Sequence, residues 1–223
     1  MGQKIKIGTP DYFVFDTETG GFSSQKHGLC EIAGLLIDGV TLDIIMEYET
    51  IIKPYDTKLT YTAEAQAVHG LSVELLEEQG EDANTVVQEL RTIFEESNSN
   101  KKRSGQVVLV GHNVNFDIGF LDHLFTHQGE DLAKYVKSER IRNQFSYPKG
   151  IDTIDLCHAR WAEDNLASFK LGDCCIKGEI EIADSHRAMN DTIPTYELFK
   201  QAVLAMRNSG SIEKTETKRQ FKF

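Results

Sequence analysis

Three short segments of the chain carry the side chains that could perform metal-dependent chemistry. They read Asp16-Thr17-Glu18, His112-Asn113-Val114-Asn115-Phe116-Asp117 and His186-Arg187-Ala188-Met189-Asn190-Asp191. In a chain with 35 acidic residues, an acidic-x-acidic triplet is expected roughly five times by chance, so the first segment alone is weak evidence. The ordered set of three is specific, because four carboxylates and a histidine are what a two-metal phosphodiesterase site requires.

The four carboxylates are expected to converge and to bind cations. Asp16 and Glu18 lie two residues apart on a predicted strand, so their side chains share one face. Asp117 follows a strand and opens a helix, at the sheet edge where α/β proteins bind ligands, and Asp191 lies in the last helix. Four like charges this close repel one another unless cations neutralise them. Oxygen ligands favour Mg²⁺ or Mn²⁺ over zinc, and we expect two such ions about 4 Å apart.

His186 is the expected general base. It precedes Asp191 by five residues, which is more than one helical turn, so we place it in the loop that enters the last helix. A neutral imidazole next to a metal-activated water can accept a proton near neutral pH.

Apolar patterns predict a mixed α/β sheet. Strands are predicted at residues 12–15, 32–37, 44–52, 107–110 and 151–154, with the second and third joined by a turn at Asp38-Gly39. Helices are predicted at 62–68, at 82–97, around Ile118 to Phe125 and at 187–206. Three strands followed by alternating helices and strands indicate five strands flanked by helices.

Length and composition indicate one catalytic domain. With 223 residues, of which 40% are apolar, the chain can form one sizeable core. The apolar periodicity ends after residue 207, so we divide the chain into a catalytic domain at 1–207 and a flexible C-terminal tail at 208–223. No apolar stretch approaches the roughly 18 residues of a membrane span, and the start lacks a signal-peptide pattern. We therefore expect a soluble, cytoplasmic protein with no membrane partner.

Charge and cysteine content leave alternatives open. The net charge of −11 argues against a protein that coats nucleic acid by bulk electrostatics. The segment 134–149 is nevertheless basic with interleaved aromatic residues, which fits either a groove that follows a nucleic-acid backbone or a solvated helix face.

The four cysteines indicate buried thiols in a reducing compartment. The alternative is a zinc site formed by Cys174, Cys175 and His158.

The three segments resemble the three motifs of the DEDDh (DnaQ-like) 3′–5′ exonucleases, a family that includes polymerase proofreading subunits and RNA-trimming enzymes. The match extends over roughly residues 11–205, nearly all of the predicted domain. The resemblance implies a ribonuclease-H-like fold and makes residues 1–207 the exonuclease domain. A sister group has Tyr four residues before the final Asp, where this chain has Arg187, which favours the histidine group. The implied roles are metal ligation by Asp16, Glu18, Asp117 and Asp191, and general-base catalysis by His186.

Further positions resemble the family's substrate-binding residues. Val68 and His69 resemble an element that lines the terminal-nucleotide pocket, and three other residues resemble those beside the 3′-terminal sugar and base. Those three are His112, Asn113 and Phe116. Each of the five also has an ordinary structural explanation in core packing, a helix cap or a turn.

The chain departs from the family pattern at two places. The family commonly continues with Thr-Thr-Gly after the second carboxylate, whereas Thr19-Gly20-Gly21 follows here. We include Thr19 and Gly20 among the substrate-binding residues, because a glycine lets backbone N–H groups approach a phosphate or sugar closely. Pro194 is the second departure, since a proline inside a helix removes a hydrogen bond. It predicts that the last helix begins near Asp191 or bends there.

The resemblance implies hydrolysis of single-stranded DNA from its 3′ end, with release of nucleoside 5′-monophosphates in proofreading or repair. RNA 3′-end trimming stays open, because we identify no residue that must accept or reject the 2′-hydroxyl. A non-catalytic nucleic-acid-binding subunit is the other alternative. A polymerase or sliding-clamp partner is expected through the tail, whose end Gln220-Phe221-Lys222-Phe223 resembles short clamp-binding peptides.

Overall fold

The computed structural model describes residues 9–99, 105–141, 145–164, 166–183 and 186–209. Within these ranges the strands are β1 (Tyr12–Thr19), β2 (Leu29–Ile37), β3 (Ile44–Ile51), β4 (Val108–Gly111), β5 (Ser138–Ile141), β6 (Phe145–Pro148) and β7 (Gly150–Asp152). The helices are α1 (Ala63–His69), α2 (Val73–Gln79), α3 (Ala83–Ser99), α4 (Val114–His127), α5 (Thr153–Trp161), α6 (Leu171–Gly178) and α7 (Ala188–Ser209), with a short 3-10 helix at Leu132–Lys134.

The main sheet has five strands in the order β3-β2-β1-β4-β7. The pairs β1–β2 and β2–β3 are antiparallel, whereas β1–β4 and β4–β7 are parallel. Helices cross between the parallel strands, as parallel pairing requires. The predicted mixed five-stranded sheet with flanking helices is therefore confirmed, and β1 lies at its centre.

Different helices cover the two faces of the sheet. Phe15 of β1 belongs to the core formed with α3 and α4. Val14, on the opposite face, packs in a second core with Phe199 of α7. Because successive strand side chains point to opposite faces, Asp16 and Glu18 continue the row of Val14 and lie on the α7 face. Helices on both faces also explain why every residue of β2 is buried.

Several strand boundaries differ from the prediction. β2 begins earlier than predicted, at Leu29. β1 continues through Thr19, because β2 pairs with it over its whole length. The predicted strand 151–154 is wrong at its end, since the Asp152 side chain accepts the Ile154 N–H and begins α5 there. The connection from β2 to β3 spans residues 38–43, as the predicted strand ends imply, and the Asp38 N–H to Asp43 carbonyl hydrogen bond closes it.

The four predicted helices are present, and three further helices were not predicted. Thr62 caps α1 by accepting the Ala65 N–H, and Gly70 ends the helix with φ 77°. The three are α2, α5 and α6, each of nine residues or fewer, so a helical period is hardly developed in them. α7 begins three residues before Asp191 and continues through Pro194 as one helix. Of the two alternatives that Pro194 left open, a helix that begins near Asp191 is therefore the better description than a helix that bends there.

The basic segment 134–149 is mostly a β-hairpin in its described part. β5 and β6 pair antiparallel, with Glu139 opposite Tyr147, so the alternative of a solvated helix face is wrong. Lys149 forms an exposed ion pair with Glu139 at 2.7 Å, and Tyr147 packs against the core shared with α3 and α4. A nucleic-acid groove on this hairpin stays a prediction, and residues 142–144 lie outside the described ranges.

The C-terminal boundary moves slightly. α7 runs to Ser209, so residues 208 and 209 are helical rather than part of the predicted tail. The remainder of the tail, 210–223, lies outside the described residues. Cys30, Cys157, Cys174 and Cys175 are buried free thiols, as expected, and among described residues they join no cluster with metal-binding geometry. No helix in the described ranges is long and apolar enough to span a bilayer.

Replacing Phe94 with Ala should lower the free energy of unfolding by about 3–5 kcal/mol. Its ring is fully buried and meets the Phe13 ring edge-on, with 5.2 Å between the centroids. Urea denaturation followed by circular dichroism measures the change. The control is Ile44→Ala on the edge strand β3, where the side chain is exposed and the expected change is below about 0.5 kcal/mol. A similar small loss for Phe94→Ala would contradict a close-packed α3 interface.

Candidate active site

The register of β1 and β2 brings two carboxylates beneath the first turn of α7. Asp16 lies opposite Ala33, and Glu18 lies opposite Glu31. α7 supplies Asp191 to the same place, and one carboxylate oxygen from each of Asp16, Glu18 and Asp191 lies within 4.8 Å of the others. Three of the four predicted carboxylates are thus assembled on one face of the sheet.

Asp117 reaches the cluster from the other layer of the fold. It lies in the first turn of α4 and is 3% exposed. Its carboxylate accepts a 2.6 Å hydrogen bond from the Thr17 hydroxyl, which points to the α4 side of β1. Asp117 falls outside the group of three with 4.8 Å spacing, yet it is the carboxylate that most perturbs Asp16. It therefore stands beside Asp16 at the end of the strand.

Asp152 fixes the start of α4, a role that the sequence did not reveal. Its carboxylate accepts the Asn113 N–H at 3.0 Å and the Val114 N–H at 3.2 Å. The same carboxylate caps α5 through Ile154. A carboxylate at a helix N-terminus satisfies free N–H groups and interacts favourably with the helix dipole. Asp152 thus holds α4 and its Asp117 at the sheet edge.

Burial shifts the pKa of each of the four carboxyl groups upward, and mutual repulsion adds to the shift at Asp16 and Glu18. Burial first, and then the negative charge of Asp117, raise the pKa of Asp16 well above its usual range. Burial and the charge of Asp191 raise the pKa of Glu18 to about 8. Burial raises the pKa of Asp117 to about 7, against the opposing hydrogen bond from Thr17, and also raises the pKa of Asp191. Such an all-oxygen set fits hard divalent cations, which would remove the repulsion.

His186 lies beside the carboxylates in a polar cavity. This cavity of about 490 Å³ is lined by Asp16, Asp191 and His186, together with Lys170 of the segment before α6. His186 is exposed and precedes α7, as predicted, and it is close enough to lower the pKa of Asp191. An imidazole here can accept a proton from a water beside the carboxylates. Lys170 places a positive charge on the same wall and was missed in the sequence.

His112 and Asn113 have clear structural roles. His112 lines the polar cavity, but its Nε2 lies 2.9 Å from the Phe169 carbonyl and its Nδ1 lies 2.8 Å from the Thr153 hydroxyl. A carbonyl only accepts, so Nε2 carries the proton. Asn113 takes the left-handed conformation before α4, with φ 69° and no side-chain capping bond. Both ring nitrogens of His112 are thus engaged in holding the chain that leads to Lys170.

A second, more apolar cavity of about 290 Å³ lies on the other side of Glu18. Four predicted substrate-binding residues line it: Thr19, Val68, His69 and Phe116. Phe22 also lines it and is 94% exposed. It was not predicted, and the signal that could have revealed it is a large aromatic residue directly after two glycines. An exposed aromatic ring at a cavity mouth offers a surface for base stacking.

His69 presents an unused hydrogen-bond donor in this second cavity. Its Nδ1 accepts the Leu71 N–H at 3.0 Å, so the proton of the neutral ring is on Nε2. The Nε2 atom is buried and makes no hydrogen bond of good geometry. Burial lowers the pKa of His69, with the Thr19 carbonyl opposing the shift. Because the Thr19 carbonyl near this donor is poorly placed for a hydrogen bond, a ligand oxygen would be a better partner for the buried Nε2–H.

Gly20 is engaged in backbone hydrogen bonds and close packing. Its N–H donates to the Gly28 carbonyl at 2.8 Å, and its carbonyl accepts the Thr62 N–H. A Cβ at this position would lie 2.6 Å from the Thr60 carbonyl. Gly20 is thus required by close backbone packing, and its own N–H is already engaged; a substrate-binding role for Gly20 stays a prediction.

The comparisons with known proteins agree with this geometry. The sequence profile of the RNase_T family, described as exonuclease, matches residues 13–199. The chain belongs to this exonuclease family. It is thereby related to the DnaQ-like enzymes, whose three motifs this chain resembles. Enzymes of this family depend on divalent metal, and this chain has a carboxylate cluster that could hold such an ion.

DNA polymerases appear among its relatives. The chain is 29% identical over 190 residues to DNA polymerase III PolC-type of Bacillus subtilis, covering 85% of this chain and 11% of that protein. It is 26% identical over 214 residues to the protein of that name from Staphylococcus aureus, covering 96% and 13%. The chain therefore spans about one tenth of the length of these curated relatives.

Solved structures confirm the ribonuclease-H-like fold. E. coli Exonuclease I in complex with a dT13 oligonucleotide superposes with a TM-score of 0.69 at 18% identity, covering 90% of this chain and 43% of that one. The zinc-ion-bound form of the E. coli Exonuclease I complex with single-stranded DNA gives 0.69 at 19% identity, with 90% and 41% covered.

Without metal, the charged cluster should destabilise the protein as pH rises. The pKa of Glu18 is raised from 4.5 to about 8, so between these values the native state binds more protons than the unfolded state and stability falls with pH. Glu18→Gln removes this titration. In EDTA, the Glu18→Gln variant should therefore become more stable relative to wild type as pH rises. Between about pH 5 and pH 8 the difference in the free energy of unfolding should grow by more than about 1.4 kcal/mol, the equivalent of one pKa unit.

Mg²⁺ should reduce that growth, because a cation stabilises the ionised carboxylates. Denaturant titrations at a series of pH values measure both effects. A constant difference between Glu18→Gln and wild type across the range would show that Glu18 is not perturbed by the cluster.

Proposed function

We propose that the protein is a divalent-metal-dependent 3′–5′ exonuclease that acts on single-stranded DNA and releases nucleoside 5′-monophosphates. The observation that carries the proposal is the convergence of Asp16, Glu18 and Asp191 within 4.8 Å. Asp117 and His186 adjoin them, and a cavity opens on either side. Membership of the exonuclease family supports the reaction class.

Each polar residue of the site has a proposed role in phosphodiester hydrolysis. Asp16, Glu18, Asp117 and Asp191 would hold two Mg²⁺ or Mn²⁺ ions, which supply Lewis acidity to the phosphodiester. His186 accepts the proton of the attacking water from its exposed position beside Asp16 and Asp191. Thr17 holds Asp117 in place by its 2.6 Å hydrogen bond.

The apolar cavity is the proposed site of the 3′-terminal nucleoside. Phe22, Val68 and Phe116 offer apolar surface to the base and sugar, and the Nε2–H of His69 offers a donor to a sugar or base oxygen. Thr19 lines the same wall, although its hydroxyl already donates to the Gly21 carbonyl. A cavity of about 290 Å³ suits a single terminal nucleoside rather than a continuous strand, which favours attack at an end.

The similarity to PolC-type polymerases favours DNA over RNA as the substrate and supports a place in proofreading or repair. The same relatives support a polymerase as partner, and a contact through the part of the predicted tail that follows α7 remains part of this proposal. The exonuclease domain then extends to the end of α7 at Ser209. RNA end trimming is the alternative substrate class, which a matched RNA strand tests directly.

The protein should shorten a 5′-labelled single-stranded DNA one nucleotide at a time in Mg²⁺ or Mn²⁺ and should be inactive in EDTA, because the carboxylates need cations to act together. Gel electrophoresis of the products and chromatography of the released nucleotides measure the reaction. A duplex with a paired 3′ end should be slower, since the terminal nucleotide must unpair. Cleavage of circular single strands at an equal rate would refute the exonuclease assignment.

His186→Ala should lower turnover by about 10²–10⁴-fold with metal affinity nearly unchanged, because the imidazole takes a proton without ligating an ion. Asp16→Asn should instead weaken metal binding, since a neutral amide cannot offset cationic charge. Single-turnover kinetics and calorimetric Mn²⁺ titration separate the two effects. His127→Ala is the matched control, because His127 pairs with Asp56 away from the site. Metal loss in His186→Ala as severe as in Asp16→Asn would make His186 a ligand.

A further inference from the structure

Glu31 is a buried carboxylate that the motifs do not explain. It lies in the middle of the fold on β2, directly opposite Glu18, and its side chain is 0% exposed. A buried carboxylate is costly unless it is paired and fully hydrogen-bonded. It also adds negative charge to a cluster that already repels itself, since it raises the pKa values of Asp16 and Glu18. A buried glutamate that carries this energetic cost must be stabilised by specific partners, and those partners indicate what it does.

The partners of Glu31 are Arg187 and Ala188, the two residues that join His186 to α7. Arg187 Nε lies 3.0 Å from each carboxylate oxygen, and its Nη2 also bonds Oε1. The Ala188 N–H donates to Oε2 at 3.1 Å. The carboxylate thus receives a bidentate guanidinium and a backbone N–H of the first turn of α7, which is a geometry that holds position as well as charge.

The same turn of α7 also packs closely on β2. The Thr192 hydroxyl donates to the Ala188 carbonyl of its own helix at 2.7 Å, and its oxygen lies 3.3 Å from the carbonyl of Ala33, the residue opposite Asp16. Ala188 and Thr192 are both fully buried. The bond from Ala188 to Glu31 and this close packing fix the position of the first turn of α7 on the sheet. His186 precedes Arg187 and Ala188, and Asp191 follows Ala188 by three residues, which is less than one helical turn.

We propose that Glu31 is a positioning residue, which through Arg187 and the Ala188 N–H sets the first turn of α7 and so brings His186 and Asp191 to Asp16 and Glu18. The proposal rests on the proposed exonuclease function for its kinetic consequences. The positioning itself concerns contacts that exist without substrate. Its effect on catalysis follows because a displacement of about 1 Å in a reacting group can cost about 10²-fold in rate.

Arg187→Lys is the gentlest test. Lysine keeps the positive charge but lacks the planar guanidinium fork, whose fixed donors hold both oxygens of Glu31 in one orientation. The expected result is a fall in kcat on single-stranded DNA of about 10-fold or more, with KM changed by less than about threefold. Glu31→Gln should lower kcat by about 10²-fold, because its amide N–H₂ faces the donors of Arg187. The double variant should be no worse than Glu31→Gln alone, since both changes break one contact.

Hydrogen exchange of the metal-free protein gives a readout that is independent of activity. Both variants should lose protection in the first turn of α7, while β1 and α4 keep theirs, which also shows that the variants are folded. The control is Asp164→Asn, which breaks an exposed ion pair with Lys177 of α6 and should leave kcat and the exchange of α7 unchanged.

Wild-type kcat in Arg187→Lys, with unaltered exchange in α7, overturns the proposal, because charge alone would then suffice. Additive losses in the double variant overturn it as well. If Glu31→Gln does not fold, Arg187→Lys and its exchange profile still decide the matter. An inactive wild-type protein would instead refute the exonuclease assignment. The hydrogen exchange of α7 in Arg187→Lys would then still decide whether Glu31 holds the first turn of that helix.

Discussion

Repulsion among converging carboxylates is the constraint on which the rest of the structure depends. Asp16, Glu18, Asp117 and Asp191 meet at the end of the central strand, where burial raises the pKa of each, and the neighbouring carboxylates raise the pKa values of Asp16 and Glu18 further. A chain free to rearrange would separate such groups. The surrounding packing prevents this, because β1 is held between β2 and β4 and is covered on both faces.

Two further carboxylates hold the helices that carry the site. Asp152 binds the first N–H groups of α4, and Glu31 binds Arg187 and the first N–H of α7. Each places a negative charge against the positive end of a helix dipole. On each face of the sheet, a buried or capping carboxylate thus holds the N-terminus of the helix that carries site residues. One helix delivers Asp117 from below and the other delivers Asp191 and His186 from above, so the cluster forms only when both layers are packed.

The cavities on the two sides of the carboxylates differ in chemistry. The side of Phe22, Val68 and Phe116 is mostly apolar and contains the unpartnered donor of His69. The side of His186 is polar and contains Lys170. A nucleotide has the same asymmetry, with a base and sugar at one end and a charged phosphodiester at the other. Under the proposed function, this arrangement would orient a strand end across the carboxylates.

The sequence alone determined the three motifs, the class of fold and the shared face of Asp16 and Glu18, because strand and helix periods are local properties of the chain. It could not reveal that Gly20 is needed for backbone packing or that both nitrogens of His112 are engaged, since their partners are Gly28, Thr153 and Phe169.

Glu31 illustrates the limit most clearly. Its partner Arg187 lies 156 residues away, and no local pattern in β2 distinguishes this glutamate from an exposed strand residue. The hairpin of β5 and β6 was missed for a related reason, because charged residues hide the strand period. Types and spacing of residues thus determined which chemistry the chain can perform. Only the tertiary structure decided how the reacting groups are held, because long-range hydrogen bonds and packing set their positions.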